Sequence, residues 1–241
     1  PRQLSLIINS KKKVIIMRIG LTGTYSSGKT LTSLIISDYL NLPRTEARTM
    51  REILPHAAPG KTLEEVSSPE LIQMIITRHM DRVIHEYKHK ERFISDGCSL
   101  QEWIYGSVRV KYGMNPNQSI DLKQGETVSK TAELAYFESI MSELGKVFKR
   151  HVKESFDAFI HLPNELPLAK DGHRPVNELF RSASDDLLKE TFDELGIKYH
   201  IVGGTLEQRA NTISEILNIK PVKTIEESIA SANAKYKTLI M

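Results

Sequence analysis

Eight consecutive residues constrain this chain more than any others: Gly23-Thr24-Tyr25-Ser26-Ser27-Gly28-Lys29-Thr30. Before them runs an apolar, β-branched stretch at 14–21 (VIIMRIGL), which reads as a buried strand. After them, Leu31, Leu34, Ile35 and Tyr39 recur at helical spacing. The order is strand, glycine-bounded turn, helix. Glycines let a backbone turn tightly and approach a ligand closely. Successive N–H groups in such a turn point inward and form an anion-binding nest, and the following helix adds the positive end of its dipole. Lys29 supplies a mobile charge for phosphates, and Thr30 a hydroxyl for Mg²⁺. Every fixed position of the phosphate-loop pattern GxxxxGK[ST] is filled. The residues expected to hold ATP are therefore Gly23, Thr24, Tyr25, Ser26, Ser27, Gly28, Lys29, Thr30 and Leu31. A chance glycine turn would have to acquire the right strand and the right helix as well.

The rest of the chain repeats strand and helix. Short apolar strands are expected at 92–96, ending in Asp96, at 156–162 and at 198–202, with a further short one near Pro43. Helical spacing fills 69–90, 127–152, 177–195 and 205–218, and a last helix starts near Thr224. This alternation implies an α/β fold with a parallel sheet covered on both faces. With 241 residues the chain can bury a full core, and 40% hydrophobic and 26% charged residues are ordinary globular usage. Cys98 is the sole cysteine, so no disulfide forms within the chain, which fits the reducing cytoplasm. Membrane association is not expected, since no apolar run is long enough to span a bilayer. The eight histidines show no zinc spacing. A net charge of +3 is too small for a dedicated nucleic-acid binder. Met17 reads as an alternative start, which would make 1–16 an upstream extension, 17–218 the domain and 219–241 a helical tail.

Five further features are candidates. Asp96 closes a strand, where a carboxylate faces the ligand crevice of a parallel sheet and can hold Mg²⁺ or take a proton. The alternative is an acid that caps a turn. Glu46, Arg48 and Arg51 follow Pro43, and Glu46 and Arg48 could hold an acceptor; first-turn acids are also common for purely structural reasons. The loop Asp171-Gly172-His173-Arg174, with Arg181 beyond it, offers two arginines that could straddle a triphosphate, or is a solvated loop with incidental charge. Gly204 and Thr205 follow the last strand, either near an adenine or as a plain turn with Thr205 as helix cap. Trp103 and Tyr105 could stack on a ring, although aromatics at such spacing more often belong to a core.

In their order along the chain, these pieces resemble the P-loop kinase-like AAA-type ATPase domain family that includes the ribosylnicotinamide kinase domain of a bacterial NAD-biosynthesis regulator. The resemblance rests on GTYSSGKT, on Glu46 with Arg48, on Asp96 with Ser99, on Asp171-Gly172 with Arg174 and Arg181, and on the glycine turn before Glu207 and Arg209. It implies a three-layer domain with a five-stranded sheet ordered 2-3-1-4-5 and a C-terminal helix added. It implies Arg174 and Arg181 as lid arginines, Asp96 as base or Mg²⁺ partner, and Glu46 as a holder of the acceptor. Spacing near Glu46 is one residue shorter than in the nicotinamide-riboside enzymes, and 97–101 also differs. Both places shape the acceptor pocket, so the reaction class transfers better than the substrate.

The expected activity is Mg²⁺–ATP-dependent transfer of a γ-phosphoryl group to a hydroxyl of a small molecule, a nucleoside or nucleotide. Lys29, Asp96, Arg174 and Arg181 are the expected catalytic residues, and Thr30 and Asp96 the expected metal ligands. A slow ATP-hydrolysing switch acting on a partner protein, a kinase acting on nucleic acid, and an ATP-binding protein without turnover stay open beside it, as does a homo-oligomer.

Overall fold

A computed structural model describes residues 17–169 and 175–240. The expectations placed on 1–16 and on Asp171, Gly172, His173 and Arg174 lie outside the described residues. The elements run β1 (Met17–Thr22), α1 (Lys29–Tyr39), β2 (Arg44–Thr45), α2 (Met50–Ala57), α3 (Ser68–Lys88), β3 (Arg92–Asp96) and α4 (Ser99–Tyr112). A 3₁₀ turn at Pro116–Ser119 precedes α5 (Ala132–Ser155), β4 (Ala158–His161), α6 (Glu178–Leu195), β5 (Tyr199–Ile201), α7 (Leu206–Leu217) and α8 (Ile225–Ile240). Five of the described helices begin where a side chain caps them in a reciprocal box: Thr49 with Glu52, Ser67 with Glu70, Cys98 with Gln101, Thr205 with Gln208, and Thr224 with Glu227.

The five strands form one sheet in the order β2-β3-β1-β4-β5, as expected, and every pairing is parallel. Strand residues alternate between two cores because both faces are covered. Phe93 and Phe159 point to one layer, packed with Leu100, Trp103, Phe137, Phe148, Phe180 and Phe192 from α4, α5 and α6. Ile19, Leu21, Ile94 and Ile160 point to the other, against Leu34, Ile35 and Ile36 of α1 and Ala210 and Ile213 of α7. Phe159 stands at the centre of the first layer, with ring centroids 4.9 Å from Phe156 and 4.7 Å from Phe192. Burying each such ring contributes about 1.5–3 kcal/mol.

The helical tail packs on the body. Ile225, Ile229, Ala232 and Tyr236 of α8 join the core of α1 and α7. Lys223 pairs with Asp38 at 2.7 Å, and the Val222 amide donates to the Tyr39 carbonyl at 2.9 Å. The tail thereby clamps the helix that leads out of the phosphate-loop sequence. Trp103 is a core residue, its indole N–H donating to the Met141 carbonyl at 2.8 Å.

Candidate active site

The loop between β1 and α1 takes the backbone path that its sequence demands. Gly23 sits at φ 142°, Ser26 at 59° and Gly28 at 87°. A Cβ on Gly23 would come within 2.6 Å of the Leu162 carbonyl and of Ser27 Oγ, so glycine is required there by space as well as by φ. Gly28 is the N-cap of α1; no side chain caps that terminus and its first turn has no acid. The first-turn N–H groups therefore face the loop without a side-chain acceptor, an arrangement that suits an anion. The Lys29 ammonium is folded onto the Thr24 carbonyl and lies 3.4 Å from Ser27 Oγ.

Three elements brace this loop from outside. From α4, the Gln101 side-chain amide donates to the Gly23 carbonyl while its oxygen accepts from the Cys98 amide. The helix cap is thus also a tie to the first glycine. From α7, Arg209 donates to the Ser27 carbonyl at 2.9 Å and to the Gly204 carbonyl at 3.0 Å, and pairs with Glu165 at 3.1 Å. The Gly204 amide donates to Glu165, and this, with burial opposing and Arg209 assisting, holds the Glu165 carboxyl below its usual range. From α6, Arg181 reaches Thr24 Oγ1 at 3.4 Å and the Leu166 carbonyl at 2.8 Å. Arg181 is only 3% exposed, and its Nη2 has no hydrogen-bond partner among the described residues. A buried guanidinium nitrogen left unpaired beside this loop fits an anionic ligand.

The residues 163–169 cross the mouth of the loop. Asn164 accepts from the Thr24 hydroxyl, and the Ala169 amide donates to Ser26 Oγ at 2.9 Å. Gly204 and Thr205 lie beside the loop through the Arg209 network, with Thr205 Oγ1 accepting from the Gln208 amide as helix cap. Tyr25 stacks on Tyr105 of α4 at 4.2 Å between centroids, and Phe180 of α6 continues the stack. Burial raises the Tyr105 phenol well above its usual range.

On the other side of β1, Asp96 ends β3 in register with Leu21, so it stands next to the strand that enters the loop. One residue gathers the acids there. Arg44, the first residue of β2, donates to Asp96 Oδ2 at 2.7 Å, to the Glu46 carboxylate, and through Nε to Ser33 Oγ at 2.8 Å. Asp96 and Glu46, two separate candidates in the sequence, are thus brought together by an arginine it did not single out. Arg48 is turned elsewhere, its guanidinium forked onto Asp81 of α3 at 2.8 and 3.0 Å. Behind Asp96, Arg82 donates to its backbone carbonyl at 2.8 Å and pairs with Glu102 at 2.9 Å. Burial pushes the Glu102 carboxyl up, but Arg78 and Arg82 outweigh it and hold it below its usual range. The Cys98 thiol in the same turn is buried, which pushes it up to about 12 and leaves it unreactive.

Among the described residues no cluster of three or more His, Cys, Asp or Glu could hold a metal by protein alone. The donors on offer, the Thr30 hydroxyl and the Asp96 carboxylate, are hard oxygens. They suit Mg²⁺, which keeps waters and takes one or two protein ligands beside phosphate.

A parallel 2-3-1-4-5 sheet with a glycine-bounded anion loop after its central strand defines a P-loop protein of nucleotide-kinase fold. Residues 18–209 match the family model described as "AAA domain", and the chain belongs to that family. No curated protein sequence matches the chain. Among solved structures it is similar to deoxyadenosine kinase from M. mycoides with bound dATP (TM-score 0.54, 19% identity, 84% of this chain and 100% of that one). The same enzyme with bound dCTP aligns at TM-score 0.52 and 17% identity over 84% and 99%. Thymidylate kinase from Ehrlichia chaffeensis aligns at TM-score 0.49 and 14% identity over 83% and 98%. At these identities the likeness is one of fold.

Proposed function

We propose that this protein is an ATP-dependent kinase that transfers a phosphoryl group to a hydroxyl of a nucleoside or nucleotide. The observation that carries this reading is the pairing of a phosphate loop with two carboxylates, Asp96 and Glu46, gathered by Arg44 beside the strand that enters it. An acid on the Mg²⁺ side is common to P-loop NTPases, so the acceptor side of the reading rests on Glu46, the second carboxylate held beside Asp96 by Arg44. The similarity in fold to deoxyadenosine kinase supports the same class of acceptor. The resemblance of the motifs to the ribosylnicotinamide kinase domain bears on the reaction class rather than on the acceptor.

The loop from Gly23 to Leu31 holds the triphosphate through backbone N–H groups, and Lys29 moves from the Thr24 carbonyl to the phosphates. Thr30 and Asp96 would hold Mg²⁺, which would supply neutralisation of phosphate charge. Arg181 offsets charge on the transferring group from the α6 side, with Arg174 assigned to the same task. Asp96 accepts the proton of the attacking hydroxyl, and Glu46 holds the acceptor, while Arg48 is committed to Asp81. Arg44 is a positioning residue that keeps Asp96 and Glu46 together despite their like charge. Gly204 and Thr205 border the nucleotide base. Most of the rate in such transfers comes from positioning and electrostatics. Cys98, buried and unreactive as the sole thiol, is consistent with a cytoplasmic site of action.

The test is ADP release measured against a panel of nucleosides and nucleotides with Mg²⁺–ATP. The expected result is release that depends on one acceptor class, with the phosphorylated product identified by mass. Slow release indifferent to every acceptor would overturn the kinase reading and leave an ATPase switch.

The bracing of the loop makes a second prediction. Arg209→Met keeps the apolar stem but leaves the Ser27 and Gly204 carbonyls without their donor. The expected cost is about 2 kcal/mol of stability, since unsatisfied buried groups cost about 1–3 kcal/mol each. Urea unfolding reads it directly, and ATP affinity measured by calorimetry should fall with it.

A further inference from the structure

Helix α3 carries a face that neither the phosphate loop nor the sheet uses. Ile76, Met80, Ile84 and Tyr87 are 37%, 56%, 50% and 69% exposed. They follow one another at intervals of four, four and three residues, so they lie in one stripe. Exposed Pro69 and Gln73 extend it toward the helix start at the same spacing. The opposite side of α3 is already committed: Leu71, Met74 and Ile75 are buried in the body, and Arg82 and Glu86 with them. A helix on the surface of a monomer needs one apolar face, and α3 has two. Single exposed apolar residues are ordinary, but four in line on one helix mark an interaction surface. Intervals of three and four are those of a helix–helix seam, and the stripe itself contains no charged residue.

The ends of the stripe differ in sign. Exposed Glu64 and Glu65 precede the helix, with Glu70, tied to Lys61, in its first turn. Exposed Lys88, Lys90 and Arg92 outnumber exposed Glu91 at its other end, and Lys90 Nζ sits 4.8 Å from the centre of the Tyr87 ring. We propose that this face binds α3 of a second copy of the chain, antiparallel, about a two-fold axis passing close to Met80. In that arrangement the acidic start of each helix meets the basic end of the other, and the helix dipoles oppose. A parallel arrangement sets like charge against like. A two-fold axis also uses the one patch twice and closes the assembly. A cleft of about 200 Å³ lined by Arg48, Asp81, Ile84 and His85 borders the stripe and offers a hole for an apolar side chain from across the axis. Because Arg48 shares a loop with Glu46, the second copy would rest against the segment that holds the acceptor side of the site.

The full chain is measured by light scattering coupled to size exclusion, over a concentration series. A dimer is expected, and Met80→Glu should weaken it more than about 100-fold, since an unpaired charge in a desolvated interface is costly. The circular dichroism spectrum of this variant below its melting transition should match the parent's, because Met80 is exposed, while its melting temperature should fall by whatever the dimer contributed. Lys88→Glu with Lys90→Glu should weaken the dimer too, and mixing that variant with one carrying Glu64→Lys and Glu65→Lys should restore it. Orientation is read by oxidative crosslinking: Ile76→Cys mixed with Ile84→Cys links, and neither variant links to itself. A monomer at every concentration, a dimer untouched by Met80→Glu, or Ile76→Cys linking to its own copy would each overturn the proposal.

Discussion

Lys29→Ala is expected to lower phosphoryl transfer by about 10³-fold or more while the protein stays folded. The Lys29 ammonium sits on the Thr24 carbonyl within its own loop, and Gln101, Arg209 and Arg181 hold that loop from three helices. Losing the ammonium therefore removes charge from the site without removing a support of the core. Deleting one preorganised donor to developing charge costs about 10²–10³ in rate, and a full positive charge at the phosphates should cost no less. Steady-state ADP release gives the rate, and circular dichroism melting gives the fold. A variant that turns over within tenfold of the parent would show that the loop does not act on a transferring phosphate.

Asp96→Asn is expected to lower kcat by about 10²–10⁴-fold, the range for loss of a positioned general base, and to leave ATP binding in place. The substitution preserves size. It leaves Arg44 paired with Glu46 and Ser33, so β2 keeps its anchorage. The backbone carbonyl of residue 96 still accepts from Arg82. What is lost is a charge in register with the strand that enters the phosphate loop. Calorimetry with ATP separates binding from chemistry here. Near-normal transfer by Asp96→Asn would move the role of base to Glu46, and Glu46→Gln is then the variant to measure.

How much of this was legible beforehand differs from piece to piece. The phosphate loop was fully legible, because its chemistry depends on backbone geometry and on residue types that are adjacent in the chain. Glycines at Gly23 and Gly28 and a lysine beside the second admit few other readings, and the φ values agree. Asp96 was legible for a related reason: an acid after a short apolar run marks the carboxyl end of a strand, and β3 ends there. Helix starts at Ser67 and Thr205 carry their capping residues within four positions.

Arg44 left no such trace. An arginine after a proline is unremarkable until β2 is laid beside β3 and its guanidinium meets Asp96, fifty-two residues away. Gln101 could have been found as the far half of a cap on Cys98, but its second bond, to Gly23, spans seventy-eight residues. Arg209 was noticed as part of a glycine-turn pattern without a task; the fold supplies one, the Ser27 carbonyl. Arg48 shows the reverse case. It shares a short segment with Glu46, yet Asp81 of α3 takes its guanidinium away from the acid cluster.

The division has a physical cause. Strand, turn and helix periodicity, capping and positive-φ glycines are local, so the linear order of residues determined the α/β class, the phosphate loop and the acid at the end of β3. Side-chain partnerships across the sheet depend on which strands become neighbours and how far each long side chain reaches. Only the tertiary structure decided that Arg44 would join Asp96 to Glu46, that Arg181 would be buried against Thr24, and that the described residues would leave an apolar face of α3 uncovered.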